Sequence, residues 1–569
     1  MRNAFRRRLR VIGIVLGLFA LILVGKLYVV QVMEGEEYAL RADRQYVHES
    51  HAPYDRGKIY FTRKDGTPFA AAGLASGFLI AINPSRLENP EAAYAAIAKE
   101  IPDVEKETFM TQAAKKDDPY EEVARRVSQE AGKAIADQDI PGVVVVRERW
   151  RTYPLEDAGA QSVGFVSFGT GDTLLGQYGL ERYYNDILER SPGLFKNFFA
   201  ELFSNVGDIV IDARSVREGD VKTSVEPVVE DKLNEVLKAV QVKYSSSQVG
   251  GIIMIPATGE IIALDAIPTF DPNDRTGVPT EYFGNPLAEN VYEFGSIMKP
   301  LTMTAGLDAG VITPASTYTD TGCTIIDTAR ICNFDAKPRG PNTSMQLILA
   351  NSLNLGVAHI SKLLGHDRMR TYFMNLGFGE ETGIDLPGEV HGIVRNLESP
   401  RDVEYATAAF GQGIAVTPVE MIRALGTLAN HGKSVTPHLA TGVRLSSGIT
   451  KTFAWAPSEQ IFGEKAVEDT TRMLVTVVDD YLANGKAKIP EYSIAAKTGT
   501  AQIPIAGHYD PNKTIASFVG FAPADKPKFV MLVRFTQPSS SPFGSETAAP
   551  TFFEIAKELF IDFGIPPSK

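Results

Sequence analysis

The stretch Tyr292-Glu293-Phe294-Gly295-Ser296-Ile297-Met298-Lys299-Pro300 decides how the rest of the chain is read. Proline is excluded from a helix interior, because it lacks an N–H and clashes with the preceding turn, but it is tolerated in a first turn. Pro300 therefore predicts a helix that begins near Ser296. Ser296 and Lys299 then stand three residues apart on one face, within reach of each other. The unpaired N–H groups of a helix N-terminus beside the serine hydroxyl favour negative charge developing there. Taken alone, the pattern is also that of an N-cap serine followed by a surface lysine. What accompanies it along the chain separates the two readings.

Ser352-Leu353-Asn354 stands at the start of a helical stretch rich in Leu, Val and Ala, within the mostly helical segment Ser344–Leu364. Lys497-Thr498-Gly499-Thr500 follows the strand-like Tyr492-Ser493-Ile494-Ala495-Ala496. A glycine within a strand lets a ligand backbone approach closely, as a peptide adding itself to a sheet edge requires. Around these segments lie apolar runs of strand length. Val249–Ile255 and Ile261–Leu264 flank the turn Thr258-Gly259-Glu260, and Ile515–Phe521 and Lys528–Val533 come near the end. Helical patterns at Val229–Val242, Pro418–Asn430 and Pro550–Phe563 surround them. Helices inserted into a mainly antiparallel sheet define an α+β catalytic domain.

The half from Met33 to about Val221 lacks a constellation of acid, base and nucleophile. It has a strand-like Gly57–Phe61 before the charged turn Arg63-Lys64-Asp65-Gly66, helical spacing over Asn89–Met110 and Tyr120–Ala136, and a β-branched run, Val143–Val146, suited to a buried strand. A structural or partner-binding role fits it. Ahead of it, Arg2, Arg6, Arg7, Arg8 and Arg10 precede an apolar run over 11–32 broken only by Lys26 and Gln31. About 20 helical residues cross a bilayer core of about 30 Å, and arginines before the span put the N-terminus in the cytoplasm. A cleaved signal peptide would have a shorter apolar core and a small-x-small site, which the continuation Lys26-Leu27-Tyr28-Val29-Val30 does not offer.

The net charge of −12 and the absence of a basic stripe argue against nucleic-acid binding. The eight histidines are scattered away from metal-ligand spacing, so no metal or other cofactor is expected. Cys323 and Cys332 lie close together in a Gly/Asp/Thr-rich stretch. Outside the membrane a disulfide between them is chemically allowed, but spacing does not settle the geometry.

The order Ser-x-x-Lys, Ser-x-Asn, Lys-Thr-Gly is the motif set of penicillin-binding proteins and serine β-lactamases. The chain resembles the class B penicillin-binding proteins over essentially its whole length. Arg56-Gly57-Lys58-Ile59-Tyr60, Tyr178-Gly179-Leu180-Glu181-Arg182-Tyr183-Tyr184, Phe270-Asp271-Pro272-Asn273, Phe410-Gly411-Gln412-Gly413, Thr417-Pro418 and Ser517-Phe518-Val519-Gly520-Phe521-Ala522-Pro523 carry the likeness beyond the triads. Phe294 departs from the family's usual proline, and Thr223-Ser224-Val225-Glu226 from a common Thr-Ile-Asp stretch; neither removes a catalytic group.

The resemblance implies a cytoplasmic tail (1–10), one transmembrane anchor (11–32), a mixed α/β pedestal or dimerisation-type domain (33–221) and a transpeptidase domain (222–569) with helices on both faces of its sheet. It implies a peptidoglycan D,D-transpeptidase in the inner membrane with its catalytic domain outside, inhibited covalently by β-lactams. Its substrates would be stem peptides on glycan derived from lipid II. Its partners would be a SEDS-type glycosyltransferase and other division proteins, the septal branch being favoured over elongation. Ser296 would be the nucleophile, Lys299 the base, Ser352 and Asn354 the relay and amide holder, and Lys497 the source of positive potential. Thr498, Gly499 and Thr500 would line the substrate, with the N–H groups of Ser296 and Thr500 forming an oxyanion hole.

Overall fold

The computed structural model describes residues 55–169, 174–190, 210–211, 218–445, 448–505 and 508–569. The expected anchor at 11–32 lies outside these residues, and among them no helix is long and apolar enough to cross a membrane. The chain forms two compact units, one described over 74–150, the other comprising 55–73 and 151–569.

In the first unit the expected helix over Asn89–Met110 is two helices, Pro90–Glu100 and Lys106–Ala113. The break falls at Ile101-Pro102, because a residue before proline is pushed out of the helical region. Tyr120–Ala136, expected as helix, is instead a strand, Glu121–Val127, followed by a helix, Gln129–Ala136. The strand pairs antiparallel with Phe78–Ile82, setting Val127 opposite Phe78 and Ala124 opposite Ile80. Ion pairs from Arg125 to Glu122 and Glu148 hold its polar side. Tertiary pairing outweighs the helix propensity of this Glu/Ala/Arg-rich segment. Val143–Val146 does begin a strand, Val143–Thr152, but it is half-buried and not fully buried.

The second unit is built on a five-stranded antiparallel sheet. Its strands run in the spatial order Ile261–Ile267, Gln248–Met254, Phe529–Thr536, His508–Ala522, Ala495–Ile505. Successive side chains of a strand point to opposite faces, so uninterrupted apolar runs require cover on both sides. Val249, Ile253, Phe518, Met531 and Val533 pack with the helices Pro227–Tyr244 and Ala548–Asp562. Ile252, Met254, Val519, Val530 and Leu532 pack on the other face with Lys299–Asp308 and Pro418–Ala429. The expected arrangement of helices on both faces is present.

The block expected at 33–221 is divided between the two units. Ile59–Thr62 pairs parallel with Gly219–Thr223, which pairs antiparallel with Ala440–Leu445, so this part of the block shares a sheet with residues far along the chain. Two of the motifs that carried the family likeness meet here. Arg56 Nε and Arg151 Nε each bond one oxygen of Glu181, at 2.7 and 2.6 Å, and all three side chains are buried. Asn273 adds a clamp on the same unit, its amide bonding both Tyr153 N and Tyr153 O.

Candidate active site

The nucleophile turn is set by its glycine. Gly295 has φ of +60°, and a Cβ there would lie 2.8 Å from Thr500 O, so neither its conformation nor its surroundings accept another residue. Gly295 N donates to Gly411 O at 3.0 Å, and Gly411, with φ of +78°, packs backbone to backbone against it. The expectation that the helix begins at Ser296 needs one refinement. Gly295–Met298 is a 3₁₀ turn, and the α-helix Lys299–Asp308 follows with Pro300 in its first turn. The tighter winding keeps Ser296 and Lys299 at i and i+3, where 3₁₀ side chains eclipse. Ser296 is half-buried and Lys299 fully buried.

Ser352 lies in a break between the helices Met345–Ala350 and Asn354–Leu364, with a left-handed φ of +52°. The expected helical segment Ser344–Leu364 is thus two helices, and Ser352 faces the lysines from the corner between them. Lys299 Nζ donates to Ser352 O at 2.5 Å, to Ser352 Oγ at 3.2 Å and to Asn354 Oδ1 at 2.7 Å. Lys497 Nζ reaches the same Ser352 Oγ at 3.2 Å and also Thr498 O and Oγ1, at 3.1 and 3.2 Å. One hydroxyl therefore bridges two buried amines.

Burial, then the neighbouring Lys497 charge, holds Lys299 well below the usual lysine range. Burial alone pushes Lys497 down to about 7. Two ammonium groups around one hydroxyl repel each other, and of the two Lys299 is the one whose charge the other suppresses. The arrangement thus supplies a neutral amine next to the serine turn and a second amine still able to carry charge near neutral pH.

Lys497, Thr498, Gly499 and Thr500 lie on Ala495–Ile505, which among the described residues is an edge strand of the sheet, paired only with His508–Ala522. One face of it meets the nucleophile turn: a Cβ on Gly499 would crowd Ser517 Oγ of the neighbouring strand and stand 2.7 Å from Phe294 O and 2.9 Å from Ile297 Cγ2. Glycine is what allows strand and turn to close on each other. Gly544 N donates to Thr500 Oγ1 at 3.1 Å, fixing that hydroxyl away from the turn. Cys323 and Cys332 are bonded to each other across paired strands, and Cys332 O accepts from Asn354 Nδ2 at 2.9 Å.

Sequence reasoning missed Glu293. Its Oε1 accepts from Gly413 N at 2.9 Å and Tyr509 OH at 3.2 Å, tying the residue three before Ser296 to two distant segments. Burial raises its pKa. Its partners lie far along the chain, so only the Phe410–Gly413 match hinted that this segment approaches the serine.

The chain is similar to known proteins over most of its length. The penicillin binding protein transpeptidase domain matches residues 249–557. Stage V sporulation protein D of Bacillus subtilis (strain 168) is 31% identical over 452 residues, 78% of this chain and 69% of that protein. Peptidoglycan D,D-transpeptidase FtsI of Escherichia coli (strain K12) is 26% identical over 456 residues, 78% of this chain and 73% of that one. Penicillin-binding protein 3 of Mycobacterium tuberculosis shares the fold with a TM-score of 0.65 at 23% identity, over 74% of this chain and 92% of that chain. The chain belongs to the penicillin-binding family of serine transpeptidases.

Proposed function

We propose that the chain is a peptidoglycan D,D-transpeptidase of septal wall synthesis that works through an acyl-enzyme on Ser296. The observation that carries the assignment is the single hydroxyl, Ser352 Oγ, shared by Lys299 and Lys497 beside the Ser296 turn. Lys299, held neutral, takes the Ser296 proton as Oγ attacks the carbonyl between two D-alanines of a stem peptide. Ser352 passes that proton on to the departing D-Ala nitrogen, and Asn354 holds Lys299 and the substrate amide. The N–H groups of Ser296 and Thr500 receive the oxyanion, a donor pair whose single loss typically costs on the order of 10²–10³ in rate. Lys497 and Thr498 bind the terminal carboxylate, and the peptide lies along the outer edge of this strand. An amine of a second stem peptide then attacks the ester, forming the cross-link and freeing Ser296.

A β-lactam presents a strained amide to the same serine, and the Mycobacterium tuberculosis protein that shares this fold is known in complex with aztreonam. Likeness to FtsI supports the septal assignment. The run 11–32 would anchor the chain in the inner membrane with its catalytic domain outside, and 33–221 would serve as the pedestal toward a SEDS-type glycosyltransferase. Labelling with a fluorescent penicillin tests the chemistry: the wild-type chain takes up the label covalently and Ser296→Ala does not. Equal labelling of both would overturn the assignment. Depletion that yields rounded cells instead of filaments would overturn the septal role alone.

A further inference from the structure

The residues that hold Asn354 lie outside the motifs. Asn354 opens the helix Asn354–Leu364 directly after Ser352, whose left-handed backbone is unfavourable for a residue with a side chain and persists only where its surroundings fix it. The first N–H groups of a helix have no partner within it. The end of the strand Ala329–Cys332 and the residue after it meet this helix start twice, once at the Asn354 side chain and once at a backbone N–H. Cys332 O accepts from Asn354 Nδ2 at 2.9 Å, and Asn333 Oδ1 accepts from Leu355 N at 3.1 Å. Behind them, Asn333 Nδ2 donates to both oxygens of Asp320 at 2.9 Å, and Asp320 Oδ1 also accepts from Gly322 N at 3.0 Å. Asp320 and Asn333 are 1% and 3% exposed, so no water competes for these bonds.

A carboxamide has one donating end and one accepting end, so whatever meets one end chooses what the other presents. A backbone carbonyl only accepts. Cys332 O draws the Asn354 N–H₂ to itself and leaves Oδ1 to face Lys299 Nζ at 2.7 Å. A carboxylate also only accepts. Asp320 draws the Asn333 N–H₂ and leaves Oδ1 for the Leu355 N–H. An Asn354 amide turned end for end would donate to Lys299 Nζ and occupy the lone pair that has to take the serine proton.

We propose that Asp320 and Asn333 are positioning residues for acyl transfer: they seat the start of the Asn354–Leu364 helix so that Asn354 presents its carbonyl oxygen to Lys299. This rests on Lys299 acting as the base. Neither residue touches substrate; each acts through the helix start and Asn354.

The test uses the full chain in detergent, with the rate of acylation by a fluorescent penicillin measured across pH and thermal stability followed in parallel. Asp320→Asn keeps shape and keeps Oδ1 as an acceptor for Gly322 N, but replaces Oδ2 with an N–H₂ set against the Asn333 N–H₂, a donor–donor contact that weakens the hold on Asn333 and favours turning its amide so that a donor meets the Leu355 N–H. Acylation should slow by about 10- to 100-fold, as small misplacements of catalytic groups do. The acid limb of the profile should move to lower pH, because Lys299 loses the oxygen that favours its charged form. The exchange Asp320→Asn with Asn333→Asp restores a donor facing an acceptor at both contacts, and should return the rate to within about threefold of wild type, the coupling expected of residues in direct contact. Three results would overturn the proposal: an Asp320→Asn rate equal to wild type, a slowed rate with an unmoved acid limb, or no recovery in the exchange. Ser296→Ala labelling separates this from failure of the site assignment, since a silent Ser296→Ala beside a wild-type-like Asp320→Asn removes only the positioning role.

Discussion

Two of the buried clusters of ionisable groups in the second unit are built on opposite plans. Around Glu181 a carboxylate lies between Arg56 and Arg151, each within 2.7 Å, with Tyr153 OH adding a contact at 3.4 Å. Around Ser352 two lysines share a hydroxyl, and among the described residues neither forms an ion pair. Desolvation penalises a buried charge in either place, and only an opposite charge with good geometry offsets it. The first cluster has that offset and holds segments more than a hundred residues apart. The second lacks it, and the penalty appears instead as amines whose hold on the proton is weakened. Of these two clusters, the paired one serves architecture and the one without a counter-charge lies where the chemistry is proposed.

Substitution of one member in each cluster is the sharpest way to break this contrast. Lys299→Met removes the proposed base and should slow acylation by about 10²–10⁴, the usual contribution of a positioned proton acceptor. Because it also removes an uncompensated buried amine, the melting temperature should hold or rise. Glu181→Gln should do the reverse. It leaves two buried guanidinium groups facing one neutral amide, and loss of a buried partner costs about 3–5 kcal/mol. Urea denaturation should show that loss, while the acylation rate per folded molecule stays at the wild-type value. Slow acylation in Glu181→Gln with undiminished stability, or a Lys299→Met chain that acylates normally, would dissolve the distinction.

The candidate site was legible in the sequence because its members sit in short motifs with local constraints. Pro300 marks the helix entry, Ser352 and Asn354 flank one residue, and Gly499 advertises a strand that something must approach. The central sheet was legible for a related reason: strands covered on both faces are apolar throughout, so Val249–Met254 and Phe529–Val533 stand out from any surface segment. What escaped depends on partners far along the chain. Glu121–Val127 has helix-forming residues and becomes a strand only because Phe78–Ile82 lies beside it. The 3₁₀ winding of Gly295–Met298 follows from how closely Thr500 and Gly411 press on Gly295, which no local pattern encodes. Glu293, Asp320 and Asn333 are ordinary polar residues until their partners are known.

The smallest effect concerns the lysines' influence on each other. In the proposed mechanism acylation requires Lys299 neutral, so its rate should fall on the acid side as Lys299 gains a proton. It also requires Lys497 charged toward the substrate carboxylate, so the rate falls on the alkaline side as Lys497, pushed down to about 7 by burial, loses its proton. The dependence of acylation efficiency on pH reports these groups in the free enzyme. Lys497→Met removes the alkaline limb outright. It also takes away the second cause of the low Lys299 pKa, leaving burial alone. With less repulsion Lys299 holds its proton to higher pH, so the acid limb of the variant should move toward alkaline pH even as its overall rate drops. The position of that limb, read from the residual acylation of Lys497→Met beside wild type, isolates the interaction from the lost carboxylate contact. A limb that stays where it was, or moves toward acid, would mean that burial alone sets Lys299 and that the two amines do not sense each other through Ser352.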